Sequence, residues 1–136
     1  MTNVAFAEPA PDCLFCRQDP GEYICENDLA YAVLDSYPVS EGHALIIPKR
    51  HAPTWFDLTP EEAQACNELV HGARLWLLKQ HPEIDGFNVG VNCGEAAGQS
   101  IFHCHIHLIP RRKGDVANPQ GGVRHVIASK AKYRRV

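Results

Sequence analysis

The clearest pattern in this chain is an alternation. Over Ile101-Phe102-His103-Cys104-His105-Ile106-His107-Leu108-Ile109, histidines recur at every second position between apolar residues. A period of two is that of a β-strand, whose successive side chains point to opposite faces. The alternation predicts one strand that ends at Pro110, which cannot donate to a ladder. Its histidines and Ile101 would share one face, and Phe102, Cys104, Ile106 and Leu108 would enter a core on the other.

Shorter apolar runs predict four more strands, over 23–26, 29–34, 43–47 and 86–92. Asn27-Asp28 marks a hairpin bend between the first two, and Pro48 closes the third. Between the third and fourth the period changes. Ala65, Leu69, Ala73, Trp76 and Leu77 recur at helical spacing. Thr59, Pro60 and Glu62 form a helix start with a capping box, and His81-Pro82 ends the helix. Strands dominate, so the expected architecture is an α+β fold: a mostly antiparallel sheet of about five strands with one long helix packed on it. Residues 1–11 read as a flexible leader and 12–112 as the domain. Residues 113–136 have no clear period and read as an extension packed on or near it.

Length, charge and cysteine usage narrow the picture. A chain of 136 residues suits one core. A net charge of -3 does not fit a general nucleic-acid or membrane-surface binder, and no apolar run approaches a spanning helix. Six cysteines could suggest a disulfide framework. However, Cys104 falls on the core side of the alternation, Cys66 lies inside the helix, and Cys13 and Cys16 have the spacing of a metal knuckle. A reducing, cytoplasmic setting is the simpler account.

Three histidines on one face are hard to explain as packing, because histidine is not a favoured strand residue. Neighbours on that face are about 6.6–6.8 Å apart, close enough to share a substrate or a hydrogen-bond chain. Two chemistries stay open on these residues alone. The histidines could ligate a metal, or they could act as nucleophile and acid/base. Cys13-Leu14-Phe15-Cys16 by itself supplies half of a zinc site.

His103 to Ile109, together with Gly98-Gln99-Ser100 before it and Pro110-Arg111 after it, resembles the signature of the histidine triad (HIT) family of nucleotide hydrolases and transferases. The likeness runs from about Cys13 to Arg112. It implies that His105 is a nucleophile that attacks the α-phosphate of a nucleotide and forms a nucleotidyl-histidine. His107 would bond the phosphate or leaving group, and His103 would complete the triad. Histidine at 107, where family transferases carry glutamine, favours a hydrolase. Asn92, Gln99 and Ser100 match phosphate contacts, and His43 a fourth histidine near the triad. Asp35 matches an acid that binds ribose, although a turn-forming aspartate explains it equally well. Leu29, Leu34 and Tyr37 could wall the base or belong to the core. The family also implies structural zinc on Cys13, Cys16, His51 and His103, and a homodimer formed through the helix and a sheet strand. The expected activity is hydrolysis of a nucleoside phosphoanhydride or phosphoramidate, with a purine nucleotide as substrate and a nucleoside monophosphate as product. The competing expectations are a nucleotidyltransferase, a nucleotide-binding regulatory module, and a protein whose triad itself binds metal.

Overall fold

A computed structural model describes residues 12–133. The expected leader, 1–11, lies outside the described residues. Five strands form one antiparallel sheet: β1 (Cys25–Glu26), β2 (Ala30–Leu34), β3 (Ala44–Pro48), β4 (Gly86–Val91) and β5 (Ile106–Arg111), in the order β1-β2-β3-β5-β4. One long helix, α1 (Pro60–Gln80), lies between β3 and β4 in sequence. This is the expected α+β architecture.

The helix starts where its capping chemistry puts it. Glu62 N–H donates to Thr59 Oγ1 at 3.1 Å, and Thr59 N–H donates to Glu62 Oε1 at 2.8 Å, which satisfies two donors that the first turn would otherwise leave open. Its buried stripe, Ala65, Cys66, Leu69, Ala73 and Leu77, packs on Ala30, Ala32, Ala44, Ile46, Ile106 and Leu108 of the sheet. Small alanines on the strands let helix and sheet approach closely. At Gly42 the chain takes φ +92°, and an added Cβ would meet Leu77 at 3.0 Å, so a side chain there would disturb both the turn and the helix contact.

The other face of the sheet carries Tyr31, Val33, Leu45 and Ile47, covered by Phe15 from the N-terminal segment. The Tyr31 hydroxyl donates to Phe15 O at 2.6 Å and ties that segment down. His107 pairs with Leu45 and Gly90 in the ladders, which places it on this second face. The helix buttresses the sheet from one side, and the chemistry gathers on the other.

Three expectations about the alternating segment need correction. The strand begins at Ile106, so His103 and His105 precede it. Cys104 N–H donates to Ala52 O at 2.7 Å, a loop carbonyl rather than a strand partner. Phe102 is half exposed instead of entering the core. Pro110 does not end the strand, which runs to Arg111. Its carbonyl accepts from Ser40 Oγ at 2.7 Å on the side where β3 pairing has already stopped, so the missing N–H costs no ladder bond.

Candidate functional site

The N-terminal turn and the loop after β3 meet at His103. Its Nε2 lies 2.7 Å from Pro48 O and donates to it, which leaves Nδ1 as a lone pair. Around that Nδ1 stand Cys13 Sγ at 3.3 Å, Cys16 Sγ at 3.5 Å and His51 Nδ1 at 3.2 Å, and Cys16 Sγ is 3.2 Å from His51 Nδ1. Zinc–ligand bonds of about 2.0–2.3 Å imply tetrahedral edges of roughly 3.3–3.8 Å between such donors. The four side chains therefore fit zinc in kind, number and spacing. Burial pushes His103 down to about 4, so its ring is neutral and its lone pair is available. Arg50, next to His51, grips buried Glu62 through Nε and Nη2 at 2.8 and 2.9 Å and also donates to Asp57 O, which pins the His51 loop to the start of α1.

Two residues on, the pattern of partners inverts. His105 Nδ1 lies 2.8 Å from the carbonyl of His103 and donates to it, so Nε2 carries the lone pair. His105 is almost closed to solvent, with Phe15 5.0 Å away between ring centroids. His107 is oriented by a relay. Val39 N–H donates to His43 Nδ1 at 3.1 Å, so His43 holds its proton on Nε2, 2.9 Å from His107 Nδ1. His107 then accepts on Nδ1 and bears its own proton on Nε2. Burial pushes both His43 and His107 down, opposed by the Asp35 carboxylate, and both are neutral at pH 7. The result is a bare imidazole nitrogen beside an imidazole N–H, with ring centroids 5.3 Å apart.

Both rings open into a cavity of about 650 Å³, within the range of small-molecule sites. Asn92, Ser100 and Asp35 line it, and Phe15, Val33, Leu34, Tyr37, Leu45 and Ile101 supply apolar walls. Asp35 forms the expected turn and also lines the cavity. Its Oδ1 accepts from Tyr37 N–H at 2.9 Å as in a turn, and its Oδ2 stands 3.5 Å from His43 Nε2 at the edge of the cavity.

Other expected site residues stand elsewhere. Gln99 is buried, and its amide is fully used: Nε2 donates to Pro53 O and Ile101 O, and Oε1 accepts from Gly94 N–H. It shapes the loop that presents Ser100 and has no donor left for a phosphate. Gly98, at φ +94°, turns the chain into this loop. His43 lies behind His107 and does not line the cavity, and both nitrogens of His103 are engaged. Leu29 borders a different groove near the start of α1. The sequence reading missed Phe15 and Ile101 as wall residues. The apolar pair inside the Cys13–Cys16 knuckle was the available signal for the first.

Among the described residues no helix is long and apolar enough to cross a membrane, and none of the six cysteines is in a disulfide. Burial pushes the thiols of Cys66 and Cys104 up to about 12, which fits core residues without thiolate chemistry.

A profile of the HIT domain matches residues 17–114. The chain is 44% identical over 108 residues to adenylylsulfatase HINT3 of Arabidopsis thaliana, covering 76% of this chain and 54% of that protein. It thus spans about half the length of that plant relative. Among solved structures, a HIT family protein from Bacillus anthracis aligns with TM-score 0.71 and 37% identity over 78% of this chain and 77% of the other. A zinc-bound histidine triad family protein from Mycobacterium smegmatis aligns with TM-score 0.69 and 30% identity over 88% and 94%.

Proposed function

The chain belongs to the HIT domain family, and from that premise we propose that it hydrolyses a nucleoside phosphoanhydride or phosphoramidate through a nucleotidyl-histidine on His105. The observation that carries the proposal is the unprotonated Nε2 of His105 facing the cavity, its tautomer held by the carbonyl of His103. Nε2 attacks the α-phosphorus, a P–N bond forms, and the bond to the leaving group breaks with its electron pair, which takes the His107 Nε2 proton where the leaving atom is an amine nitrogen; the attacking water later returns that proton. The Ser100 hydroxyl donates to the phosphate oxygens as charge develops. Water then attacks phosphorus, the P–N bond to His105 breaks, and a nucleoside monophosphate leaves with the imidazole restored. The apolar walls would take a purine, with Asp35 at the ribose and Asn92 at the phosphate.

Zinc belongs to the proposal as a structural ion held by Cys13, Cys16, His51 and His103. A bound ion would stabilise the segment that positions the nucleophile. A homodimer is also proposed. β4 is an edge strand, Val89 on it is about half exposed, and Leu75 on α1 is exposed, which supports pairing along that side. Light scattering tests this, and a mass of one chain, 15.1 kDa, would refute it.

The hydrolase proposal is tested by measuring AMP release from diadenosine triphosphate, an adenosine phosphoramidate and adenylyl sulfate, with wild type and His105→Ala in parallel. Wild-type turnover on at least one substrate, abolished in the variant, is expected. AMP binding without any turnover would leave the regulatory-module reading instead.

A further inference from the structure

The cavity that holds His105 and His107 has a far end, built by the N-terminal segment. That segment leaves the triad at Phe15, whose ring centroid lies 5.0 Å from that of His105. A turn closed by Arg17 N–H to Cys13 O at 3.2 Å overlaps it, and a 3-10 turn, Pro20–Glu22, capped by Asp19, follows. One side chain of β2 pins the segment at both ends. The Tyr31 hydroxyl donates to Phe15 O, and the Tyr31 ring stacks on Tyr23 at 4.3 Å. Between those two pins stand Gln18 and Glu22, and both line the cavity.

We propose that Gln18 and Glu22 read the edge of the base and make this site select guanine over adenine. The inference rests on the nucleotide hydrolase reading above and names the base for it. Three observations carry it. First, neither side chain has a hydrogen-bond or ion-pair partner among the described residues, and no Lys or Arg lines the cavity. Gln99, by contrast, is consumed by its own loop. Second, the two stand at the right distance from the triad. His107, Leu45 and Val33 form one row across β5, β3 and β2. Neighbouring strands are about 4.8 Å apart, so two steps lead roughly 10 Å from the phosphate end. That is about the span of a nucleoside monophosphate from phosphorus to base edge. Tyr31 shares the face of Val33, and Glu22 immediately precedes the tyrosine that stacks on it. Third, the two side chains differ in what they accept. A carboxylate only accepts, and guanine offers N1–H and an N2 amino group side by side. Glu22 can take both in parallel. Adenine has a bare N1 and no amino group at that edge, so its lone pair would face the carboxylate. An amide both donates and accepts and can turn over, so Gln18 can donate to O6 of guanine or accept from the amino group of adenine. Glu22 therefore discriminates and Gln18 assists. Leu14 and Tyr37, 55 and 88% exposed, line the same cavity and supply apolar cover for the ring faces.

The experiment measures binding of GMP, IMP and AMP to wild type and Glu22→Gln by calorimetry. It also measures turnover of guanosine and adenosine 5′-phosphoramidates of one amine. IMP keeps N1–H and O6 but lacks the amino group. Glu22 is exposed, so the substitution does not threaten folding, and a melting curve checks this. Wild type is expected to bind GMP about tenfold more tightly than AMP, the discrimination of one bidentate pair, with IMP between them. Glu22→Gln should bring GMP and AMP within about twofold, and the kcat/KM ratios should follow. Equal binding of GMP and AMP by wild type, or an unchanged preference in Glu22→Gln, would overturn the base selection and leave the hydrolase standing. A GMP preference lost in Glu22→Gln, without turnover of either phosphoramidate, would support the base selection and overturn the hydrolase. Binding of none of the three nucleotides would overturn both.

Discussion

His103 and His105 stand two residues apart and are both nearly closed to solvent, but the backbone gives them opposite tasks. His103 donates from Nε2 to Pro48 O and turns Nδ1 toward two thiols and a second imidazole. His105 donates from Nδ1 to the His103 carbonyl and turns Nε2 toward a cavity. In each case a carbonyl chooses the tautomer, and the remaining nitrogen inherits the function. Both ends are also linked through one residue. The side chain of His103 belongs to the Cys/His cluster, and its carbonyl orients His105, the proposed nucleophile. Whatever holds His103 in place therefore also holds His105 in register.

The sharpest way to break this comparison is to remove one end at a time. His105→Ala should lower turnover by at least about three powers of ten, each ~1.36 kcal/mol of barrier, with thermal stability nearly unchanged. Steady-state kinetics and a melting curve check both halves, and a folded variant with near wild-type turnover would end the mechanism. Cys13→Ser should show the reverse order. Loss of one ligand from a structural ion should cost on the order of several kcal/mol, read as a melting temperature lower by roughly 10 °C. Elemental analysis should find less than one zinc per chain in the variant and one in the wild type. Wild-type protein purified without chelators, with its thiols reduced and no metal bound, would count against the site.

The division between the two ends was only partly legible in the sequence. The capping box at Thr59–Glu62, the helical stripe and all five strands follow from local pattern, because each is decided by residues within a few positions. The four zinc-type donors followed from spacing plus family resemblance. The break in the histidine strand did not, since it depends on Ala52, about fifty positions away, taking the Cys104 N–H. Gln99 shows the same limit. An amide before a serine reads as a phosphate donor until Pro53 and Ile101 are seen to consume it. The extension was unreadable because its conformation is held by Arg–Asp and Arg–carbonyl bonds rather than by an apolar period.

A smaller effect sharpens the role of the relay behind His107. His43 touches no cavity wall on the nucleoside side, so it acts as a positioning residue. His43→Ala removes one orienting hydrogen bond, worth about 1 kcal/mol, and should lower kcat roughly fivefold with KM little changed. His43→Gln, which keeps a donor near the Nε2 position, should recover part of the loss. A rise in KM alone in the alanine variant would instead place His43 in ground-state binding.

The smallest expected effect is the pH dependence of stability, and it separates the relay from the metal cluster. His43 and His107 are pushed down by burial, and each is further opposed or favoured by its neighbours: Asp35 faces both, and His105 faces His107. Above the unfolded value of about 6.5, both states are neutral and the pair adds no slope. As pH falls below that value, the unfolded chain binds protons first, so folding stability drops until the lower folded-state value is passed. The relay's contribution is thus present above 6.5 and lost on acidification. Acid would also strip a metal from its thiolates, which adds a second loss in the same direction. The double variant His43→Gln/His107→Gln keeps the metal ligands and removes the titrating pair. Melting temperatures between pH 5 and 7.5 should therefore fall less steeply in the variant than in wild type. Identical slopes would mean that the acid sensitivity belongs to the metal cluster alone.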